Sequence, residues 1–476
     1  MRRRVAVIGG GISGVAAALA VIDGDADVDV VLYEAADRLG GRIGTSPFAG
    51  VAHVDEGADA FLARVPEAVA LAERVGLGDD LVSPEPVGAA VWHDGLHPIP
   101  DGLLLGVPGR LGPLATSGLL SWRGKARAAI EPLLPRTSTD GDSIGAYVRA
   151  RFGDEVHERL VDSLVGSIYA TDTDRFSLAE VPQLAALAQN NRSLLLAARR
   201  QRSAQGTATA SASPIFAAPR NGMTALVDAA AAAVVAGGGT IITGVTVDSL
   251  EPAVGGGWLV RPLGADEPSS DDRAGEMFDS VIFATPASVT GSLLTGAAPE
   301  AATLLAQAET ADVIMVTLHI DASQWPEHLQ AMSGYLVPKP SQRWVTAASF
   351  SSQKWAHWRP PGGGEILRVS LGRDGVEVLQ LDDDEVLAAV LADLRVHLGV
   401  EFTPLEVRIT RWPGAFAQYR PHHAAWVESI ERALPSGLFV TGAGFRGIGI
   451  PACVRSGSGI AGQVSAHIGD LEESSS

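Results

Sequence analysis

Val5-Ala6-Val7-Ile8-Gly9-Gly10-Gly11-Ile12-Ser13-Gly14 decides the fold. Val5–Ile8 predicts a short buried strand, Gly9–Gly14 a tight turn, and Ile12–Ile22 a helix. Val28–Tyr33 predicts a second strand ending at Glu34, which completes a βαβ unit within about 30 residues. Gly9-Gly10-Gly11-Ile12-Ser13-Gly14 fits G-x-G-x-x-G. Glycine is required there because the turn is tight, the backbone must approach a pyrophosphate, and the helix must pack closely on the strand. The helix N-terminus then presents unpaired N–H groups and a partial positive charge to the phosphates. Glu34 is placed to accept ribose hydroxyls and repels a 2′-phosphate, so NADP is disfavoured while NAD and FAD stay open. Arg2-Arg3-Arg4 before this apolar stretch resembles a secretory or twin-arginine signal, but a signal gives no reason for the glycine spacing or for Glu34.

The totals narrow the function classes. At 476 residues the chain calls for two or three domains, and 46% hydrophobic content supplies their cores. No segment approaches twenty uninterrupted apolar residues, so no membrane-spanning helix is expected. A single cysteine, Cys453, excludes an internal disulfide, argues against a thiolate metal cage or dithiol redox centre, and fits a reducing cytosol. No metal site is expected. With 55 acidic against 36 basic residues the net charge is −19, which offers no global attraction to nucleic acid. An anionic substrate would need a locally basic pocket.

Further along, apolar residues recur at helical spacing between about 100 and 200 (Leu119, Leu120, Leu160, Val161, Leu164), predicting a mostly helical section. It closes in the Ser/Ala/Thr/Gly-rich segment 201–214, read as a loop or linker. Met223–Val235 predicts a helix stopped by Gly237-Gly238-Gly239, and Thr240–Val247 a strand. Asp266–Glu276 reads as a hairpin tip, and Val281–Ala284 as a short buried strand. Val313–Leu371 alternates β-branched and polar residues in the manner of an antiparallel sheet. Leu438–Val440, a glycine-rich turn and a helix from about Cys453 to His467 form the last unit, with Glu472–Ser476 read as a disordered tail.

Arg38-Leu39-Gly40-Gly41-Arg42 adds a second glycine turn flanked by arginines that can meet a phosphate. Together with Glu34 it resembles the flavin amine oxidase, phytoene desaturase and protoporphyrinogen oxidase superfamily. Ser143-Ile144-Gly145, Arg151–Val156, Gly166–Asp172, Arg220–Met223, Gly334–Pro338, Gln418-Tyr419 and Gly444–Cys453 are similar, in order, to the porphyrinogen oxidases. The soluble coproporphyrinogen III oxidases of Gram-positive bacteria are the most similar branch.

The resemblance implies an α/β fold of the two-dinucleotide-binding type, with a mixed-sheet substrate domain and a helical lobe. The FAD part would join 1–62, 214–290 and 405–476, the substrate part 63–99 and 291–404, and the lobe 100–213. It implies non-covalent FAD on Gly9, Gly10, Gly11, Ile12, Ser13, Gly14, Glu34, Ala35, Arg42, Gly57, Ala58, Asp59, Ala60, Val247, Trp412, Ile448, Gly449 and Ile450. Cys453 lies inside the final helix region, where a thioether to the flavin is not expected. The implied reaction is the six-electron oxidation of coproporphyrinogen III, in haem biosynthesis, with molecular oxygen as acceptor. Protoporphyrinogen IX is the alternative substrate.

Arg64 is the first candidate for a substrate propionate, with Lys339 and Arg343 behind it; Gly334, Leu336 and Ser167 match pocket positions. Ser167 departs from the glycine common there. No acid–base group is assigned: His53, His422 and His423 read more readily as solvated or core histidines. Transient contact with a ferrochelatase and a cytoplasmic location, peripheral to a membrane at most, are also implied. The rivals are an amine oxidase, which would need an aromatic cage, a phytoene desaturase, which lacks the Ile168-Tyr169-Ala170 segment, and a non-enzymatic prenyl-protein chaperone, which would have lost these flavin positions.

Overall fold

In the computed structural model the described residues are 2–24, 27–206, 214–263 and 275–475. Five short strands form a fully parallel sheet in the order Thr240–Thr243, Val28–Glu34, Arg3–Ile8, Ser280–Phe283, Leu438–Val440. Alternation along the strands sends side chains to two different cores. Val5, Val7, Val30, Leu32 and Ile282 join the core that contains helices Ile12–Gly24, Thr224–Ala236 and Ile450–Ser475. Ala6, Ile8, Val31, Tyr33 and Phe283 face the opposite core, with the antiparallel strands Val247–Pro252, Trp258–Pro262 and Glu276–Phe278. Both faces are covered, which is why these strands read as continuous apolar runs rather than alternating ones.

Two expected elements differ. The strand expected over 240–247 stops at Thr243: Gly244 takes a positive φ of 71° and its N–H donates to Ala36 O, so the chain turns before Val247 opens a new strand paired with Pro262. The carboxy-terminal helix begins at Ile450, with Pro451 in its first turn where a missing N–H costs nothing, and continues to Ser475 through most of the expected disordered tail. Ser476 lies outside the described residues. So do 207–213 of the expected linker, whose first part finishes the helix Leu194–Gly206, and 264–274 of the expected hairpin tip.

The second sheet has seven strands in the order Glu406–Ala417, Thr310–Ile320, Glu365–Leu371, Val345–Phe350, Met332–Leu336, Gly88–Trp92, Leu96–Pro98. Neighbours are antiparallel except Met332–Leu336 with Gly88–Trp92. Glu406–Ala417 belongs to this mixed sheet, so sheet membership runs past the division placed at 404/405. The reason is pairing at long range: its partner is Thr310–Ile320, and no local composition change marks it. Helix Asp383–Leu398, with a capping box of Asp382 and Glu385, packs on the sheet core.

Short helices between 111 and 206 form the remaining lobe around Tyr147, Phe152, Leu160 and Phe176. It includes a ten-residue π-helical run, His157–Gly166, a rare form that concentrates at functional sites. Glu131 and Arg151, both fully buried, pair inside this lobe; Glu131 also accepts Leu194 N–H at 2.9 Å at the start of Leu194–Gly206. Among the described residues no helix is long and apolar enough to cross a membrane.

Candidate dinucleotide and substrate site

All five parallel strands end at one edge, and the strand order reverses beside Arg3–Ile8, the switch point where open α/β sheets bind ligands. Gly9 takes φ 107° and donates its N–H to Tyr33 O at 2.8 Å. A Cβ at Gly14 would run into Gly9 O, whereas one at Gly11 would meet nothing within 4 Å. Gly14 is therefore glycine for helix packing, and Gly11 leaves room for a ligand. Ile12 and Ser13 are buried in the first helical turn. Glu34 accepts N–H groups from Gly10 (2.6 Å) and Ala36 (2.9 Å), fixing its carboxylate beside the turn, next to exposed Ala35.

The second glycine turn lies against the first, with Gly40 N–H on Gly10 O at 2.9 Å. Arg38 braces it, donating to the carbonyls of Leu39, Gly41 and Ile43. Arg42 is half-buried with no ion-pair partner among the described residues, and burial holds its guanidinium below the usual arginine value. An unpaired cation at this edge suits a phosphate.

Around Gly57-Ala58-Asp59-Ala60, Gly57 O accepts from buried Arg368. Asp59 accepts from Lys354 Nζ at 2.8 Å and Trp355 Nε1 at 3.0 Å. Burial alone would raise the Asp59 pKa, but Lys354 and Arg368 hold it well below the carboxylate range. Trp412 donates from Nε1 to Glu56 O at 3.1 Å and lays its ring against Gly57.

Two helix N-termini converge here. A Cβ at Gly457 would run into Ser13 O, so the carboxy-terminal helix packs closely on the first, and Gly449 precedes its N-terminus in open space. Ile448 is half-buried and Ile450 buried. Val247 is buried, at the start of a strand in the separate antiparallel sheet rather than on a continuous 240–247 strand of the parallel sheet. Cys453 is also buried, its thiol pushed up to about 11 by burial, with Sγ 3.4 Å from Ile448 O.

A cavity of about 130 Å³ lies between the helical lobe and the mixed sheet, lined by Ser167, Met315, Gln342, Thr346, Arg373 and Phe416 among others. The other five predicted substrate positions do not line it. Gly334 and Leu336 lie on the strand Met332–Leu336; at Gly334 a φ of 133° and the Ala348 carbonyl leave no room for a side chain. Lys339 is ion-paired with Asp172, and Arg64 is exposed with no partner among the described residues. Arg343 is exposed as well. Sequence reasoning missed Arg373, which pairs with Asp162 at 3.1 Å and donates to Thr171 O. Its only sequence signal was an adjacent pair of opposite charges in a glycine turn, Gly372-Arg373-Asp374-Gly375. Of the histidines weighed as bases, His53 is exposed and His423 buried. Among the described residues no group of His, Cys, Asp or Glu is arranged to hold a metal.

The fold and this edge define a dinucleotide-binding protein of the class that joins a parallel nucleotide sheet to a mixed substrate sheet. The family described as flavin containing amine oxidoreductase matches residues 12–465. The chain is 31% identical to the coproporphyrinogen III oxidase of Bacillus subtilis strain 168, covering 96% of each chain. It is 34% identical to that of Mycobacterium tuberculosis H37Rv, covering 95% of each. A protoporphyrinogen oxidase from Arabidopsis thaliana chloroplasts is 27% identical over 94% of this chain and 85% of its own. A crystal structure from Exiguobacterium sp. 255-15, provisionally assigned as a protoporphyrinogen oxidase, superposes with TM-score 0.84 at 27% identity, covering 98% and 99%. The chain belongs to the flavin-containing amine oxidoreductases, in the branch of the coproporphyrinogen III oxidases.

Proposed function

We propose that this chain is an FAD-dependent oxidase that converts coproporphyrinogen III to coproporphyrin III with molecular oxygen as acceptor. The observation that carries the reading is similarity above 30% across nearly the whole length of coproporphyrinogen III oxidases, with more distant similarity to a protoporphyrinogen oxidase. The residues fit the cofactor: Gly11 leaves space, Arg42 is an unpaired cation, Glu34 is a fixed acceptor, and two helix N-termini meet at one edge. Gly9–Gly14 and Arg42 would hold the pyrophosphate, Glu34 the ribose, and the 57–60 turn, Trp412 and Ile448–Ile450 the flavin end.

FAD held there would supply the hydride acceptor, with oxygen as the terminal oxidant. The chain's part is mainly orientation. The cavity at Ser167 lies where the helical lobe meets the mixed sheet; at about 130 Å³ it would take one edge of the flexible macrocycle rather than enclose it. The Ser167 main chain would take a pyrrole N–H, and exposed Arg64 would bind a propionate outside the cavity, since an arginine fork matches a carboxylate. Lys339 is the weaker partner because it is already paired with Asp172.

Parallel turnover of the two porphyrinogens by purified holoprotein tests this. Higher kcat/KM for coproporphyrinogen is expected, and preference for protoporphyrinogen would overturn the substrate assignment. Acid precipitation should release all flavin as free FAD; flavin retained on the polypeptide would overturn the non-covalent reading.

A further inference from the structure

The dipeptide Gln418-Tyr419 has no role in the site described above, yet Tyr419 is one of the largest fully buried side chains in the protein, 1% exposed. Its hydroxyl donates to Ala443 O at 2.8 Å and accepts Gly447 N–H at 2.9 Å, bridging the turn that leads to Gly449 and the carboxy-terminal helix. That turn needs the help: Gly442 and Gly447 both take strongly positive φ, 115° and 114°. A second clamp comes from His423, whose ring stacks on Tyr419 at 3.8 Å between centroids and 15°. Its Nε2 lies 2.8 Å from Phe445 O. A carbonyl only accepts, so Nε2 carries the proton. Burial lowers the pKa of this imidazole to about 4 and keeps it neutral.

On its other face Tyr419 stacks on Phe176 at 5.8 Å, which stacks in turn on Tyr169 at 5.1 Å. Tyr169 lies in sequence between Ser167 and Ala170, both of which line the substrate-side cavity. Backbone bonds reinforce the column: Ser177 N–H donates to Tyr419 O at 2.8 Å, and Gln418 Nε2 lies 3.5 Å from Tyr169 O. Ile448 packs on the same core as Tyr419, Phe176 and Leu160. Tyr419 thus touches both the turn before the last helix and the stack that backs the cavity wall.

We infer that Tyr419, clamped by His423, is a positioning residue that sets the Gly442–Gly449 turn at the flavin and ties it to the Ser167–Ala170 wall of the substrate cavity. The inference rests on the cofactor reading above. Neither side chain reacts. The hydroxyl and the imidazole N–H fix three backbone groups of a glycine-rich turn that would otherwise sample many conformations.

Tyr419→Phe keeps the ring and loses both hydroxyl bonds; His423→Phe keeps a stacking ring and loses the donor. Apo-protein is titrated with FAD, and the bound flavin's visible circular dichroism and midpoint potential are recorded. Tyr419→Phe is expected to weaken FAD by about 10-fold, the loss of two buried hydrogen bonds, and to shift the dichroism and the potential. His423→Phe should move the same readouts in the same direction by less, and serves if Tyr419→Phe does not fold. His423→Gln, which restores an N–H donor, should recover part of the shift. A purely structural role would lower the melting temperature and leave the spectrum and potential of the bound flavin at wild-type values. That outcome in both phenylalanine variants overturns the inference while the cofactor reading stands. Wild-type protein that takes up no FAD overturns the cofactor reading, and this inference with it.

Discussion

Glu34 holds two backbone N–H groups, from Gly10 and Ala36, so its carboxylate is already oriented before any ligand arrives. Replacing it by alanine removes a charged acceptor for the ribose and loosens the turn that meets the pyrophosphate. Glu34→Ala is expected to weaken FAD by roughly 1.5–3 kcal/mol, the range for a hydrogen bond to a charged group. Equilibrium titration of the apo-protein measures it, and an unchanged dissociation constant would place the ribose elsewhere. Arg64 is the complementary case, a side chain with no partner among the described residues and a proposed anionic ligand. Arg64→Ala should raise KM for coproporphyrinogen several-fold with kcat little changed, because a contact made equally in ground and transition states affects binding alone. Arg64→Lys should recover only part, keeping charge but losing the fork. Wild-type kinetics in Arg64→Ala would turn the search to Arg343. Motif spacing singles out Glu34 in the sequence, and family resemblance Arg64; Arg373 has no such marker, since its partner Asp162 lies 211 residues away in the chain.

One carboxylate ties two elements together at the hairpin Thr45–Asp55. Asp55 Oδ1 accepts from Thr45 Oγ1 at 2.5 Å and from Met223 N–H at 2.8 Å, just ahead of helix Thr224–Ala236. Burial, only partly offset by these bonds, raises its pKa to about 6. The folded state therefore binds this proton more tightly than the unfolded chain does. The stabilisation is complete below about pH 4 and is lost as pH rises through 6. Asp55→Asn keeps an Oδ1 acceptor for both donors and has no charge to desolvate. Its stability relative to wild type should rise by about 2–3 kcal/mol between pH 4 and pH 7 in urea unfolding, an order-of-magnitude value from the shift in pKa. A pH-independent difference would show that Asp55 ionises there without cost. At this scale the βαβ opening was readable because strand, turn and helix are each set by neighbouring residues. The break at Gly244 and the π-helical run His157–Gly166 were not, because long-range packing and hydrogen bonding decide them.

Across the whole molecule, the parallel sheet assembles from segments more than 400 residues apart, Arg3–Ile8 and Leu438–Val440, and both ends announce themselves by glycine turns. The mixed sheet has no such marker, and Glu406–Ala417, past the division drawn from sequence, joins it by pairing with Thr310–Ile320. Net charge is the property of the whole chain that bears on its proposed substrate. At −19 the protein repels a tetra-anion at long range, and coproporphyrinogen carries four propionates where protoporphyrinogen carries two. Short-range arginine contacts in a partly desolvated pocket are screened weakly by salt, whereas repulsion over about 10 Å or more is largely removed near 0.1 M. Raising ionic strength from about 20 mM to about 200 mM should therefore raise kcat/KM for coproporphyrinogen. The gain should be roughly twice as large, on a logarithmic scale, as for protoporphyrinogen, since the repulsion scales with ligand charge. Steady-state rates at low substrate, with both porphyrinogens across the salt series, give this slope directly. A fall in kcat/KM with salt would mean that a local basic rim, Arg64 foremost, governs encounter despite the charge of the chain as a whole.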